Sequence, residues 1–294
     1  MQGTIGVIGL GIMGGAFARH LAGAGWKVIG YDIDAGRTRE AQAAGVEIAH
    51  SAEAVAETAS DVITSLPTPR AVLDTAAVIA RASAPARTVV ETSTLALDDK
   101  FEVRRILGEA GHTALDCPMS GTGAQAAVKD LVVFASGDAA AIARLAPAFA
   151  AFARKVWDLG AYGNGSKMKF VANHLVAIHN VAAAEAMVLA MKAGLDARRV
   201  VEVIGSGAGT SRMFEVRAPM MAANAYLPAT MRSATWKKDM EVIGDFASEL
   251  VCPTPLFDLS ASLYTAALAM GRGAEDTAAV CAVLEKMAGI ERKA

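Results

Sequence analysis

In the stretch GAYGNGSKMKFVANH, Lys167 and Lys169 follow a glycine-rich turn, and Asn173 stands four residues beyond the second lysine. On a helix, residues four apart share a face, whereas residues two apart point about 200° away from each other. Lys169 and Asn173 can therefore converge on one ligand, and Lys167 reads as a solvated first-turn residue. A lysine partly desolvated beside another positive charge is less favoured as an ammonium. Its pKa then moves toward the range in which it can take up and return a proton. An amide one turn further on can orient the oxygen that exchanges that proton. Asn180 returns to the Lys169 face, while His174 and His179 lie off it and read as structural.

A second group lies in TIGVIGLGIMGGAFARHL, where Gly9-x-Gly11-x-x-Gly14 joins a strand-like run to a helix-like one. In that setting the first glycine permits a tight turn, the second lets backbone approach a pyrophosphate, and the third allows close helix–strand packing. The N–H groups and positive dipole end of the helix receive the phosphates. Asp32 closes the next apolar run, KVIGYD, 18 residues after Gly14, close to the interval of about 20 expected of a ribose-binding acid. It would repel a 2′-phosphate, which favours NAD. Arg37 leaves NADP open, although it also reads as an ordinary solvated helix residue.

SLP at 65–67 and ETST at 91–94 end strand-like runs, where open α/β sheets bind ligands. Taken alone, Thr94 reads as a plain helix N-cap before it reads as a ligand contact. DCPMSGTGAQA at 116–126 ends a further run in a turn whose backbone N–H groups, with the Ser120 and Thr122 hydroxyls, suit a carboxylate or simply cap a helix. TWKKDME at 235–241 adds Lys238 and Asp239, which read as a helix-surface ion pair or as a cofactor contact.

GLGIMGGAFARHL, SLP, ETST, DCPMSGTGA, GNGSKMKFVAN and WKKDM occur in an order and spacing that resemble the β-hydroxyacid dehydrogenases, and the resemblance covers nearly the whole chain. This family includes 3-hydroxyisobutyrate dehydrogenase and tartronate semialdehyde reductase. The resemblance implies an α/β Rossmann-type N-terminal domain and an all-α domain like the C-terminal domain of 6-phosphogluconate dehydrogenase. It also implies NAD or NADP as cofactor, a small carboxylate substrate with a hydroxyl on its β carbon, and a homodimer or homotetramer. By the same resemblance, Gly9, Leu10, Gly11, Ile12, Met13, Gly14, Asp32, Leu66, Pro67, Thr94 and Lys238 are cofactor-binding. Ser120, Gly121, Thr122 and Asn173 hold substrate, and Lys169 is the general acid/base. The chain departs from the family in three places: Thr122 replaces a usual glycine, Lys129–Asp130, read as a surface turn, replaces a usual Gly-Thr, and Ala172 replaces an asparagine often found there. An imine reductase shares the two-domain plan but generally replaces the lysine. A non-enzymatic dinucleotide-binding redox reader would be expected to carry extra recognition domains or a disrupted catalytic set.

The elements that must position these residues follow from the patterning. Up to Leu159, apolar runs (TIGVI, KVIGY, DVITSL, RTVVET, TALD, LVVFAS, KVWDL) alternate with helix-length segments, which predicts a mainly parallel sheet with helices on both faces. Beyond Gly165 the strand signals stop, and 166–192 form one long apolar helical pattern closed by Gly194. The expected domains are 1–162, binding the dinucleotide, and 163–294, all-α and including the connecting helix. A net charge of −2 without a dense basic block argues against a nucleic-acid surface. Three scattered cysteines suit a reducing cytoplasm and are too few for a disulfide framework or a metal knuckle. The apolar stretch 171–191 is interrupted by Asn173, His174, His179, Asn180 and Glu185, so it is expected to be a core helix rather than a membrane span.

Overall fold

The computed structural model describes residues 3–292. In chain order its first part comprises β1 (Thr4–Ile8), α1 (Ile12–Gly23), β2 (Lys27–Tyr31), α2 (Ala35–Ala43), β3 (Glu47–Ile48), α3 (Ala52–Thr58), β4 (Asp61–Thr64), α4 (Pro69–Arg81), β5 (Thr88–Glu91) and α5 (Leu97–Glu109). There follow β6 (Thr113–Asp116), β7 (Met119–Ser120), α6 (Gly123–Ala127), β8 (Val132–Ala135), α7 (Ala139–Phe152) and β9 (Lys155–Asp158). The helical part comprises α8 (Asn164–Lys192), α9 (Ala197–Gly205), α10 (Arg212–Ala223), α11 (Ser233–Glu249), α12 (Pro255–Ala269) and, after a short 3-10 turn, α13 (Val280–Met287).

Six strands form a wholly parallel sheet in the order β3-β2-β1-β4-β5-β6. This is the doubly wound order whose ligand crevice opens at the carboxyl ends of the strands beside β1 and β4, where the order reverses. Successive strand residues turn to opposite faces. Ile5, Val7, Ile63 and Val90 join one buried cluster with α1 and α7, whereas Ile8, Val62 and Val89 join another with α3, α4 and α5. Burial on both faces accounts for the nearly unbroken apolar runs of β1, β4 and β5.

The runs LVVFAS and KVWDL do not extend that sheet. They form β8 and β9 of a separate three-stranded sheet, in which β7 pairs antiparallel with β8. β3 and β7 are two residues each, too short to leave a periodic signal.

The chain divides into compact units 1–169 and 170–294, so the division by contacts falls inside α8. The first turn of α8 is bonded into the sheet-bearing unit: Gly165 N–H donates to Ser136 Oγ at 2.9 Å and Ser166 N–H to Asp116 Oδ2 at 2.7 Å. By length and apolar composition alone α8 could cross a membrane, as the core helix of a folded domain also can. Its buried amides, however, are engaged inside the helical unit: Asn180 Nδ2 donates to Tyr264 Oη at 2.8 Å and to the Thr277 carbonyl at 2.9 Å. Asn180 is thus a core tether and does not line a site, while Phe214 and Trp236 are buried packing residues.

Candidate active site

The glycine turn after β1 has the shape its residues suggest. Gly9 adopts φ +90°, and a Cβ on Gly14 would lie 1.9 Å from the Gly9 carbonyl oxygen, so neither position accepts a side chain. A Cβ on Gly11 would meet nothing within 4 Å. That open space lies at the start of α1, which has no side-chain cap, whereas Asp34, Ser51, Thr68 and Asp138 cap α2, α3, α4 and α7. The leading N–H groups of α1 therefore lack the side-chain acceptor that those four helices have, which suits a phosphate. A cavity of about 200 Å³ adjoins the turn, lined by Leu10, Gly11, Ile12, Arg19, Arg37 and Glu40. Ile12 is exposed at the head of α1, and Met13 is partly buried against the core.

Asp32 stands at the end of β2 and fastens this turn. Its Oδ2 accepts the Leu10 N–H at 2.7 Å and its Oδ1 accepts the Asp34 N–H at 2.8 Å. A carboxylate has about four lone-pair sites, so ribose hydroxyls remain within its capacity. Arg37 pairs with Glu40 at 3.1 Å, as a solvated helix residue would. Ile33, 93% exposed beside Asp32, is an apolar surface that sequence reasoning passed over.

The strand tips are drawn together. Leu66 N–H donates to Ser93 Oγ at 3.2 Å, bringing the Leu66–Pro67 turn beside the Ser93–Thr94 turn. Thr94 does not cap a helix, because α5 starts after Ala96. A Cβ on Gly123 would lie 2.4 Å from Ile12 Cγ2, so the SGTG turn touches the head of α1. His20 secures the same junction, its Nε2 lying 2.9 Å from the Ala126 carbonyl. In the SGTG turn Gly121 takes φ +133°. The Thr122 N–H is occupied by Gln125 Oε1 at 2.9 Å, so the turn offers fewer open N–H groups than its composition suggests.

Lys169 and Lys167 separate as helical spacing requires: Lys167 is exposed and Lys169 half-buried. Lys169 Nζ donates to the Met119 carbonyl at 2.6 Å, the residue just before Ser120. Asn173, buried four residues on along α8, donates from Nδ2 to Asp239 Oδ2 at 3.1 Å. Lys238 lies 3.5 Å from Oδ1 of Asp239, but Asp239 is buried, so the pair is not the helix-surface ion pair that the sequence alone allowed. The link between Asn173 and Asp239 joins residues far apart in sequence and had no local signal.

The sheet order and the glycine turn at its switch point are those of dinucleotide-dependent oxidoreductases. Residues 4–160 match the family described as the NAD binding domain of 6-phosphogluconate dehydrogenase. Residues 163–284 match the family described as NAD-binding of NADP-dependent 3-hydroxyisobutyrate dehydrogenase. L-threonate dehydrogenase of Cupriavidus necator is 35% identical over 284 residues, covering 95% of each chain. The structure of Mycobacterium tuberculosis 3-hydroxyisobutyrate dehydrogenase with L-serine superposes with a TM-score of 0.88 at 31% identity, covering 97% of this chain and 99% of that one. An imine reductase of Streptomyces aurantiacus shares the fold at a TM-score of 0.63 and 22% identity, over 96% of this chain and 99% of that one. The chain belongs to the β-hydroxyacid dehydrogenase family. It is accordingly an NAD(P)-dependent oxidoreductase acting on a CH–OH group, with imine reductases as more distant neighbours.

Proposed function

We propose that the enzyme oxidises a small acid bearing a hydroxyl on its β carbon, or reduces the corresponding oxo acid (a semialdehyde where that hydroxyl is primary), with Lys169 as the general acid/base. The carrying observation is the 2.6 Å bond from Lys169 Nζ to the Met119 carbonyl, which holds the amine beside the Ser120–Thr122 turn. The Ser120 hydroxyl, Gly121 N–H and Thr122 hydroxyl receive the substrate carboxylate there. Lys169 takes the proton of the β hydroxyl during oxidation and returns it during reduction. Asn173, held by Asp239, orients the substrate along the same helix face.

Nicotinamide, when bound, accepts or supplies the hydride. The open space at Gly11 and the uncapped head of α1 suit the pyrophosphate, and Asp32 suits an unphosphorylated ribose, which favours NAD. Gly9, Leu10, Ile12, Met13 and Gly14 surround the phosphates, Leu66, Pro67 and Thr94 lie toward the nicotinamide, and Lys238 contacts the cofactor. Among acids, L-threonate is favoured, because the Thr122 hydroxyl adds a polar partner that a polyhydroxy acid can use and the relative of Cupriavidus necator is named for it.

The test is NADH absorbance with L-threonate, 3-hydroxyisobutyrate, 3-hydroxypropionate, serine and glycerate, each with NAD and NADP. Turnover fastest with L-threonate and NAD is expected. No turnover with any of these acids would sink the reading. A homodimer or homotetramer in the cytoplasm is also proposed, since α8 exposes Val171, Leu175 and Leu189 and α12 exposes Leu256 and Leu259. Light scattering that returned the 30.3 kDa monomer would overturn the oligomer.

A further inference from the structure

Glu91 and Asp116 are register partners at the carboxyl ends of β5 and β6, so two carboxylates stand side by side in the interior. Like charges placed directly across neighbouring strands are destabilising. Lys100 on α5 stands between them: its ammonium bonds Glu91 and lies 3.0 Å from Asp116 Oδ1, with all three groups buried. Burial acts against that ammonium, but Asp116 and Glu91 outweigh it and raise the Lys100 pKa. Such triads are poor stabilisers, since apolar residues of similar volume often do as well. Stability alone is therefore a weak reason for this one.

Its connections run in two directions. Asp116 receives Ser166 N–H at 2.7 Å and Ser166 Oγ at 2.8 Å, so its charge sits at the positive end of α8. Ser136 Oγ bonds the Asp116 carbonyl at 3.1 Å and accepts the Gly165 N–H at 2.9 Å. A Cβ on Gly165 would lie 2.4 Å from the Phe134 carbonyl oxygen and 2.6 Å from that of Asp116, which shows how closely the turn is seated. Toward the cofactor side, Glu91 Oε1 accepts the Ser93 N–H at 2.8 Å, and Ser93 Oγ in turn accepts the Leu66 N–H at 3.2 Å.

We propose that Lys100 is a positioning residue for the proton-transfer step, holding Glu91 and Asp116 together so that the Leu66 and Ser93 tips and the first turn of α8, which aims Lys169, keep one geometry. The proposal rests on Lys169 being the acid/base. Lys100 itself touches neither substrate nor cofactor.

Steady-state kinetics and pH–rate profiles of three variants test it. Lys100→Met removes the ammonium, Glu91→Gln/Lys100→Met removes opposite charges together, and Ser166→Ala loses only the hydroxyl bond to Asp116. A misplacement of about 1 Å costs roughly 100-fold, so kcat is expected to fall about 10- to 100-fold in the Lys100 variants and several-fold in Ser166→Ala. The KM for the acid should stay within about twofold, as befits loss in the transition state only. The lysine limb of the pH profile should be displaced in the same direction in all three.

A purely structural role would lower Tm and the active fraction while leaving kcat per active site and the pH limb unchanged. That result in Ser166→Ala and in any Lys100 variant that folds would overturn the proposal, and Ser166→Ala decides alone if neither does. Lys169→Ala, run alongside, separates the two readings. Retained turnover there removes the acid/base assignment, whereas an inactive Lys169→Ala beside unaffected Lys100 and Ser166 variants removes only the positioning role.

Discussion

Lys169 Nζ donates to the backbone carbonyl of Met119 at 2.6 Å, and so a side chain of the long helix is tied to the strand that opens the SGTG turn. Lys169→Ala should lower kcat by about 100- to 10,000-fold, the usual contribution of a positioned acid/base. NADH binding, followed by fluorescence, should survive. Lys167→Ala, at an exposed position, should match the unmodified enzyme. Equal losses in the two variants would contradict the assignment.

Thr122 brings a hydroxyl to a position where the family usually has glycine. Thr122→Gly should lower the ratio of kcat/KM for L-threonate over 3-hydroxyisobutyrate by about tenfold, the worth of one hydrogen bond. An unchanged ratio would show that the hydroxyl does not face substrate. Thr122 N–H is already bonded to Gln125 Oε1, so Gln125→Ala provides a control in which the hydroxyl remains.

Lys129 adopts φ +62°, which explains why a glycine is usual there. Left-handed backbone costs a residue with a Cβ roughly 1–2 kcal/mol, partly offset by the entropy glycine loses on folding. Lys129→Gly should therefore stabilise the protein by about 1 kcal/mol, read as a higher urea midpoint at unchanged slope. A lower midpoint would mean that the exposed lysine makes a compensating contact.

In the helical unit, Asp276 is buried and bonds Arg217 at 3.1 Å, Thr230 Oγ1 at 2.7 Å and Thr230 N–H at 2.8 Å. Burial by itself would raise its pKa, but the Arg217 guanidinium and the N–H and hydroxyl donors around it bring the net value below the usual one. The stabilisation is complete above the ordinary aspartate pKa and is lost as pH falls through the lowered folded value. Asp276→Asn should cost about 3 kcal/mol at neutral pH and flatten that acid dependence. An identical acid limb in thermal melts of the variant would assign it to other carboxylates.

Local chemistry made much of the fold legible. The glycine turn, the place of Asp32 after β2 and the position of Lys169 and Asn173 four residues apart on one helix need only neighbours in sequence to be read. Lys100 was not legible: in LALDDKFEV it looks like a solvated helix residue, and its burial depends on Glu91 and Asp116 arriving from adjacent strands. Asn180 shares the Lys169 face by spacing, yet Tyr264 and Thr277 claim its amide. The Gln125 bond to the Thr122 N–H, by contrast, belongs to a capping box whose Thr-x-x-Gln pattern stands in the sequence.

The fastening of the glycine turn by Asp32 bears on any attempt to re-engineer cofactor preference. Replacing this acid to admit a 2′-phosphate would also release the Leu10 and Asp34 N–H groups that it holds at 2.7 and 2.8 Å. A switch built on this position alone would loosen the very turn that is proposed to hold the pyrophosphate of either dinucleotide. Substitutions at Arg19, Arg37 and Glu40, which line the neighbouring cavity without gripping the turn, give the designer an independent handle.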